Sequence, residues 1–422
     1  MKLEVLEKID RQRLIELTRN LVVIPSPTGE EERVALYLAN ELRSMGLEVS
    51  LQEIETHRFN VIGRWKGAGG GATLMFLAHF DTVTPGPEDP EREEGPVEFR
   101  VVDDWMIGLG VANMKSAFAA YLMAIEMLFK ARVRLRGDII IAGVVGEIEK
   151  AQVGRYQGRR FRGGAWGTRY MMAHGVTADT AIIGEPTGLR LQIGNLGYVF
   201  AQVKVMGKAQ HTRGKHLGID PIYPAMKIFE AIREWEPKYQ EKHRHPFMQP
   251  VIGIGAIEGG FPYKPSVCPP PYCNLYVDIR TLPGARPQEI KRELEAALEG
   301  VKRDMPQVGI EIDFYKVNEG YEIPKNSYLV HSMAQAHKEV FGQEVVFPEP
   351  TRYSVASDGS VLHGYGIQAI TYGPGGISPT GAYFDMLNEE SVALGNLENC
   401  TKVYALSALD ILSKGREELG LN

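Results

Sequence analysis

The sequence predicts an α/β protein in which a mostly parallel sheet is interrupted by a smaller two-layer α+β unit. Three observations carry this. TLMFLAHFD, GDIIIAGVVGE and ADTAIIGEP are continuous apolar runs that end in polar residues, as buried parallel strands do, and open α/β sheets place ligands at such ends. From Gly197 the pattern changes to alternating strands and amphipathic helices, and after about residue 318 the first pattern resumes. The length of 422 residues exceeds what one core usually fills, roughly 250 to 300 residues.

The elements follow in order. An amphipathic helix is expected over residues 4–20, then a second ending near Gly46, opened by Thr28 and Glu31 at capping-box spacing. After the first buried strand, GLGVANMKSA leads into a helix in which Met114, Phe118, Tyr121, Leu122, Ile125, Leu128 and Phe129 recur at spacings of three and four. The inserted unit reads YVFAQVKVMG as a strand, PIYPAMKIFEAIREW as a helix, CNLYVDIRTLPG as a strand, PQEIKRELEAALEGV as a helix and GIEIDFYKV as a strand. SYLVHSMAQAHKEVF then reads as a helix, IQAITYGPG as a buried strand and VYALSALDIL as part of the last helix. The expected boundaries are 1–196 with 318–422 for the first domain and 197–317 for the insert.

Composition narrows the functional classes. Hydrophobic residues at 44%, charged residues at 24% and a net charge of -6 describe an ordinary globular chain and disfavour a polyanionic partner, so no nucleic acid is expected. MKLEVLEKIDRQRLIEL lacks the apolar core of a signal peptide, and no stretch reaches the 18 or so apolar residues of a membrane helix. Cys268, Cys273 and Cys400 imply no disulfide framework. A reduced, cytoplasmic setting is the expectation.

The strongest chemical signal is the set of polar residues at three strand ends: His79 with Asp81, Glu147 with Glu149, and Glu185. Imidazole with carboxylates is a ligand set for Zn, Mn or Co, and a neighbouring carboxylate can fix the tautomer of a ligating His. Any one of these could be a solvated loop residue; three strand ends carrying such residues point to a site. Asn113 stands where a carboxylate would be expected beside them, and helix N-capping is its alternative role. Capping alone does not explain Asn, since Asp caps equally well.

In order and spacing, these motifs resemble the metallopeptidases and amidohydrolases that include acetylornithine deacetylase, succinyl-diaminopimelate desuccinylase, aminoacylase and carboxypeptidase G. The likeness spans nearly the whole chain. It is carried by IPSPTGEE, AHFDTV, GLGVANMKSAFAA in place of a segment ending Asp-Met-Lys, VVGEIE in place of Asp-Glu-Glu, IIGEPT, AQHTRG, VDIRTLPG and YGPGG. The resemblance implies a catalytic domain with an inserted ferredoxin-like lid and dimerisation domain, a homodimer, and metal-dependent hydrolysis of a C–N bond in a small anionic substrate.

Residue by residue, the resemblance implies His79 and Glu185 as ligands of a first metal, with Asn113 on the position of the Asp that bridges two metals in relatives. Ile148 falls on a Glu that binds the second metal, and Asp385 falls on a C-terminal His ligand; Glu149 and Asp385 are the possible additional ligands. Two close divalent cations need a shared anion, and an amide supplies none. One divalent ion, Mn or Zn, on His79, Asn113 and Glu185 is therefore expected. Glu147 matches the general base, Asp81 would orient His79, His211 matches a residue that stabilises the oxyanion across the dimer, and Arg280 matches a lid arginine that holds a substrate carboxylate. His216, five residues after His211, joins the substrate-binding candidates, whereas a salt bridge to Asp278 is the alternative for Arg280.

The basic, aromatic segment 155–170 could offer cationic and stacking groups to an anionic ring, bind RNA, or be a plain surface loop. The first option keeps open a deaminase resembling the aminohydrolase of a nitro-substituted anthranilate. A binding or scaffold protein without catalysis is the alternative of another class.

Overall fold

The structure is a computed structural model describing residues 1–83, 97–348, 357–376 and 390–421. The chain divides into two compact units, one comprising Met1–Gly194, Glu322–Pro348 and the residues from Ser357 onward, the other Asn195–Tyr321.

The first unit is built on a six-stranded sheet. Leu74–His79 lies at its centre, flanked by Ile139–Val144 and Thr180–Ile183, with Gln368–Thr371 beyond the latter; these four are parallel. Every residue of the first three is buried, because helices cover the sheet on both faces and leave no solvated side to alternate toward. Arg58–Trp65 and Glu48–Glu55 extend the sheet antiparallel beyond Ile139–Val144. The chain leaves the central strand first to one side and then to the other, so the strand ends open a crevice at the switch point.

The expected helix over 4–20 is two helices, Lys2–Leu6 and Arg11–Val22. Asp10 divides them by accepting a bond from the Arg13 amide at 3.0 Å as an N-cap. The expected capping box at Thr28 and Glu31 does not form. Glu31 is itself the N-cap of Glu32–Ser44 without a side-chain cap bond, and both side chains turn toward the strand ends. The helix after Asn113 begins only at Ser116 and runs to Lys130. It is buried nearly all round because Arg11–Val22 and Leu394–Ile411 pack against it on the side away from the sheet.

The second unit is β-α-β-β-α-β, with all-antiparallel strand order Ile252–Gly259, Tyr272–Thr281, Gly197–Met206, Gly309–Asn318 and helices Ile222–Lys242 and Pro287–Asp304. This is the ferredoxin-like arrangement. Its core joins Val199, Ala201, Val203 and Val205 to Leu275, Val277, Ile279, Ile228, Ile232, Leu294 and Leu298. The Ile252–Gly259 strand went unread in the sequence: Gly253, Gly255 and Gly259 weaken its strand signal, and as an edge strand it buries little of its length.

Candidate active site

Three consecutive observations build the site: a histidine at the end of the central strand, carboxylates at the ends of its two neighbours, and a loop that brings an amide to the histidine. Among the described residues, His79, Glu147 and Glu185 form the one group of His, Cys, Asp or Glu whose possible ligand atoms all lie within 4.8 Å of one another. All three are buried. His79 Nε2 lies 3.6 Å from Glu185 Oε1 and 3.7 Å from Glu147 Oε2.

Asn113 reaches the same point from the loop Gly110–Lys115. It is not the N-cap of the following helix, which is Lys115; its side-chain oxygen lies 2.8 Å from His79 Nε2. Glu390 shapes this loop, since its Oε2 accepts the backbone N–H groups of both Ala112 and Asn113 at 3.0 Å. Buried Lys115 anchors the loop's far end by donating to the Ile24 carbonyl at 2.6 Å.

The tautomer of His79 follows from its other nitrogen. Nδ1 lies 2.8 Å from the backbone carbonyl of Asp81, an acceptor only, so Nδ1 carries the proton and Nε2 a lone pair. That lone pair faces the Asn113 carbonyl oxygen. Two acceptors at this separation attract each other only through a cation or proton between them. Burial holds the His79 pKa below its ordinary value despite the charge of Asp81, which favours the neutral ring that binds metals.

The orienting role expected of Asp81 is therefore performed by its backbone carbonyl. Its carboxylate is 3.6 Å from Nδ1 and faces elsewhere: Oδ1 accepts the Glu147 amide at 2.9 Å, and Oδ2 accepts the Ile148 amide at 3.1 Å and the Thr28 hydroxyl at 2.9 Å.

Electrostatically the described residues make the site acid-rich. Burial pushes the Glu147 carboxyl well above the usual range, and the charges of Glu185, Asp358, Asp81 and Glu149 push it further. Glu185 is raised in the same way, first by burial and then by Asp358, Asp81 and Glu149. Among the described residues, the only basic nitrogen within ion-pair distance of either is His79 Nε2. A divalent ion is the group that reverses this imbalance, and imidazole nitrogen, amide oxygen and carboxylate oxygen suit one.

Glu149 contributes charge without joining the three-residue group, and Ile148 offers the site only its backbone amide. Asp385 lies outside the described residues. Two acidic residues of this region were not singled out in the sequence. Asp358, 1% exposed, has its carboxyl pushed up to about 7 by burial and by the charge of Asp81; Ser-Asp-Gly before a short helix carries no signal of this. Glu390 belongs to an acidic pair whose depth only the fold reveals, and burial likewise raises it to about 7.

In the second unit, His211 and His216 are exposed. His211 Nδ1 accepts the Arg213 amide at 3.2 Å. Arg280 donates to Asp278 Oδ2 from Nη2 at 2.8 Å and from Nε at 3.1 Å, with its guanidinium over the Tyr198 ring at 5.3 Å.

The segment 155–170 is pinned by its own charges. Arg160 pairs with Glu30 at 2.6 Å, Arg162 pairs with Glu55 and lies over Trp166, and Arg155 bonds Tyr156. Buried Arg58 also donates to the Arg162 carbonyl at 3.1 Å. These arginines therefore have protein partners.

The family model for peptidase family M20/M25/M40 matches residues 75–410. The chain is 25% identical over 410 residues to an N-formyl-4-amino-5-aminomethyl-2-methylpyrimidine deformylase of Halalkalibacterium halodurans, covering 89% of this chain and 91% of that one. It is 30% identical over 315 residues to the acetylornithine deacetylase of Aliivibrio salmonicida, covering 73% and 75%. A tripeptidase structure from Staphylococcus aureus superposes with a TM-score of 0.72 at 18% identity, over 96% of this chain and 100% of that one. Human carnosine dipeptidase 1 superposes at 0.68 and 15% identity, over 98% and 99%. Matched by its family model across most of its length, with the strand-end site inside that span, the chain belongs to peptidase family M20/M25/M40 and is a hydrolase of amide bonds.

Proposed function

We propose that the chain hydrolyses the amide bond of a small anionic substrate with a single divalent ion, Mn or Zn, held by His79, Asn113 and Glu185. The observation that carries this reading is the convergence of His79 Nε2 with the Asn113 oxygen at 2.8 Å and Glu185 at 3.6 Å in a buried, acid-rich pocket. The ion would supply Lewis acidity, polarising the scissile carbonyl and making water a better nucleophile.

Glu147 is the general base. Its carboxylate lies 3.7 Å from His79 Nε2, beside the ligand cluster, and its raised pKa suits a group that takes a proton from water and returns it to the leaving nitrogen. His79 is held as a neutral donor by its Nδ1–H bond to the Asp81 carbonyl. His211 and Arg280 are assigned to substrate polarisation and holding on the family resemblance, as are the lid and dimerisation role of the 197–317 insert and the homodimer; His216 joins them only by its place five residues after His211. Arg280 acts on substrate only by exchanging or sharing its bond to Asp278.

Metal analysis of the purified protein tests the reading. One ion per chain is expected, and reconstitution with Mn or Zn should restore turnover of N-acyl amino acids. Two ions per chain overturn the single-ion assignment. No binding means instead that the Asn113 amide is turned so that its N–H bonds Nε2, and the metal assignment falls. Glu147→Gln should abolish turnover while leaving ion binding intact; unchanged turnover removes Glu147 as base.

A further inference from the structure

We infer that Asn60 and Glu31, together with the carboxylate of Asp81, are positioning residues for Glu147, an inference that rests on reading Glu147 as the base. The geometry is a run of four consecutive backbone amides, each taken by a side-chain oxygen. Val145 N–H donates to Asn60 Oδ1 at 3.1 Å, Gly146 N–H to Glu31 Oε1 at 3.2 Å, Glu147 N–H to Asp81 Oδ1 at 2.9 Å and Ile148 N–H to Asp81 Oδ2 at 3.1 Å.

The run begins where the strand Ile139–Val144 stops. Beyond that point the carbonyls of Val145, Gly146 and Glu147 accept from the amides of Gly167, Trp166 and Gly164, and among the described residues it is side chains that take the N–H groups, where the base must be aimed. Buried backbone N–H groups need acceptors, and here three side chains supply all four. Gly146, at φ +64, turns the chain, and a Cβ there would meet the Arg58 guanidinium at 2.5 Å.

Each acceptor is itself fixed. Glu31 and Arg58 form a two-bond ion pair at 2.7 and 3.0 Å with both side chains fully buried. Asn60 donates its amide to the Gly167 carbonyl at 2.8 Å, and Asp81 receives the Thr28 hydroxyl at 2.9 Å. All of these residues are at most 1% exposed, so solvent does not compete for the bonds. The motif IPSPTGEE thereby acquires a mechanical role: through Thr28 and Glu31 it holds the backbone on which Glu147 sits. None of these side chains touches the ligand cluster directly except through Asp81, so the array directs the base rather than the ion.

Asn60→Leu tests this. It removes the acceptor for Val145 and leaves His79, Asn113, Glu185 and Glu147 in place. In the Mn- or Zn-loaded enzyme acting on an N-acetyl or N-formyl amino acid, kcat should fall about 10- to 100-fold, the range typical of residues that support a site from outside it. KM and ion affinity should stay within about threefold, since uniform binding is untouched. In the Glu147→Gln background the same substitution should change residual turnover little, because it acts through Glu147. Asn60→Gln, which retains both the acceptor oxygen and the amide donor, should recover part of the lost kcat.

Amide hydrogen exchange supplies a readout independent of any substrate. Exchange over 145–148 should rise at least tenfold in Asn60→Leu, with Ile139–Val144 still protected. An Asn60→Leu enzyme with full kcat, or with exchange over 145–148 unchanged, overturns the array while leaving the base assignment standing. If Glu147→Gln keeps full turnover, the base assignment itself is overturned, and the array with it.

Discussion

Replacing Glu185 with Gln separates the cost of an uncompensated buried carboxylate from the benefit of a bound cation. Glu185 is 1% exposed, and its one basic neighbour within ion-pair distance among the described residues is His79 Nε2 at 3.6 Å. Burial and the charges of Asp358, Asp81 and Glu149 all oppose its ionised form. In metal-free protein such a group costs on the order of 1 to 3 kcal/mol, which Gln removes at nearly constant volume. At about 1.5 °C per kcal/mol for a unit of this size, the melting temperature of the chelated variant should exceed that of the chelated wild type by about 1.5 to 4.5 °C. The two proteins should then respond oppositely to metal. An ion at a hundred times its Kd stabilises the wild type by about 2.7 kcal/mol, or about 4 °C, whereas the variant lacks a ligand and should shift little. Differential scanning calorimetry at pH 8, with chelator and then with Mn or Zn, reads both quantities. A variant less stable than wild type without metal, or one that keeps the full metal shift, refutes the assignment of Glu185 as a ligand in a cation-deficient pocket.

Asn113→Asp should tighten binding of the single ion tenfold or more in calorimetric titration, because it adds an anion beside His79; a stoichiometry of two would refute the role given to Ile148. Breaking the buried Glu31–Arg58 pair by Arg58→Met should cost about 3 to 5 kcal/mol in denaturant unfolding, with Glu31→Leu/Arg58→Met recovering part of it, and a loss below about 1 kcal/mol contradicts their burial as a pair. Asp358 and Glu390, raised to about 7, hold protons in the folded chain that the unfolded chain has released. Metal-free stability should therefore fall as pH rises from about 4 to 7, by up to a few kcal/mol per group. Asp358→Asn should flatten that slope, and an unchanged slope removes Asp358 as its source.

How much of this was legible depended on whether the signal was local. The three buried strands were, since unbroken apolar runs have one common explanation in a covered parallel sheet. Their polar ends gave His79, Glu147 and Glu185, now within 4.8 Å of one another. The strands Glu48–Glu55 and Arg58–Trp65 were not read, because Arg58 and Asn60 look like surface residues in a sequence; their burial depends on Glu31 and on the turn at Gly167, which are distant in the chain. The helix expected to end at Trp235 runs on through Pro237 to Lys242. Thr28 and Glu31 misled for a related reason: capping-box spacing is a local pattern, but both side chains have stronger partners across the fold.

Asn113 and Ile148 are best understood together, as a matter of charge balance. The pocket brings Asp81, Glu149 and Asp358 close enough for their charges to raise the pKa values of Glu147 and Glu185. One divalent ion offsets two of these charges, roughly Glu185 and Glu147, while Asp81 is stabilised by its three hydrogen bonds. A carboxylate at 113 would add an anion 2.8 Å from Nε2, which would strengthen the pull on the same ion without supplying ligands for a second. At 148 the side chain that would hold such a cation is an isoleucine, and the residue serves the site only through its amide. On the proposed reading, the two departures from the family pattern both act against a second ion, and His79, Asn113 and Glu185 are left as the ligands of one.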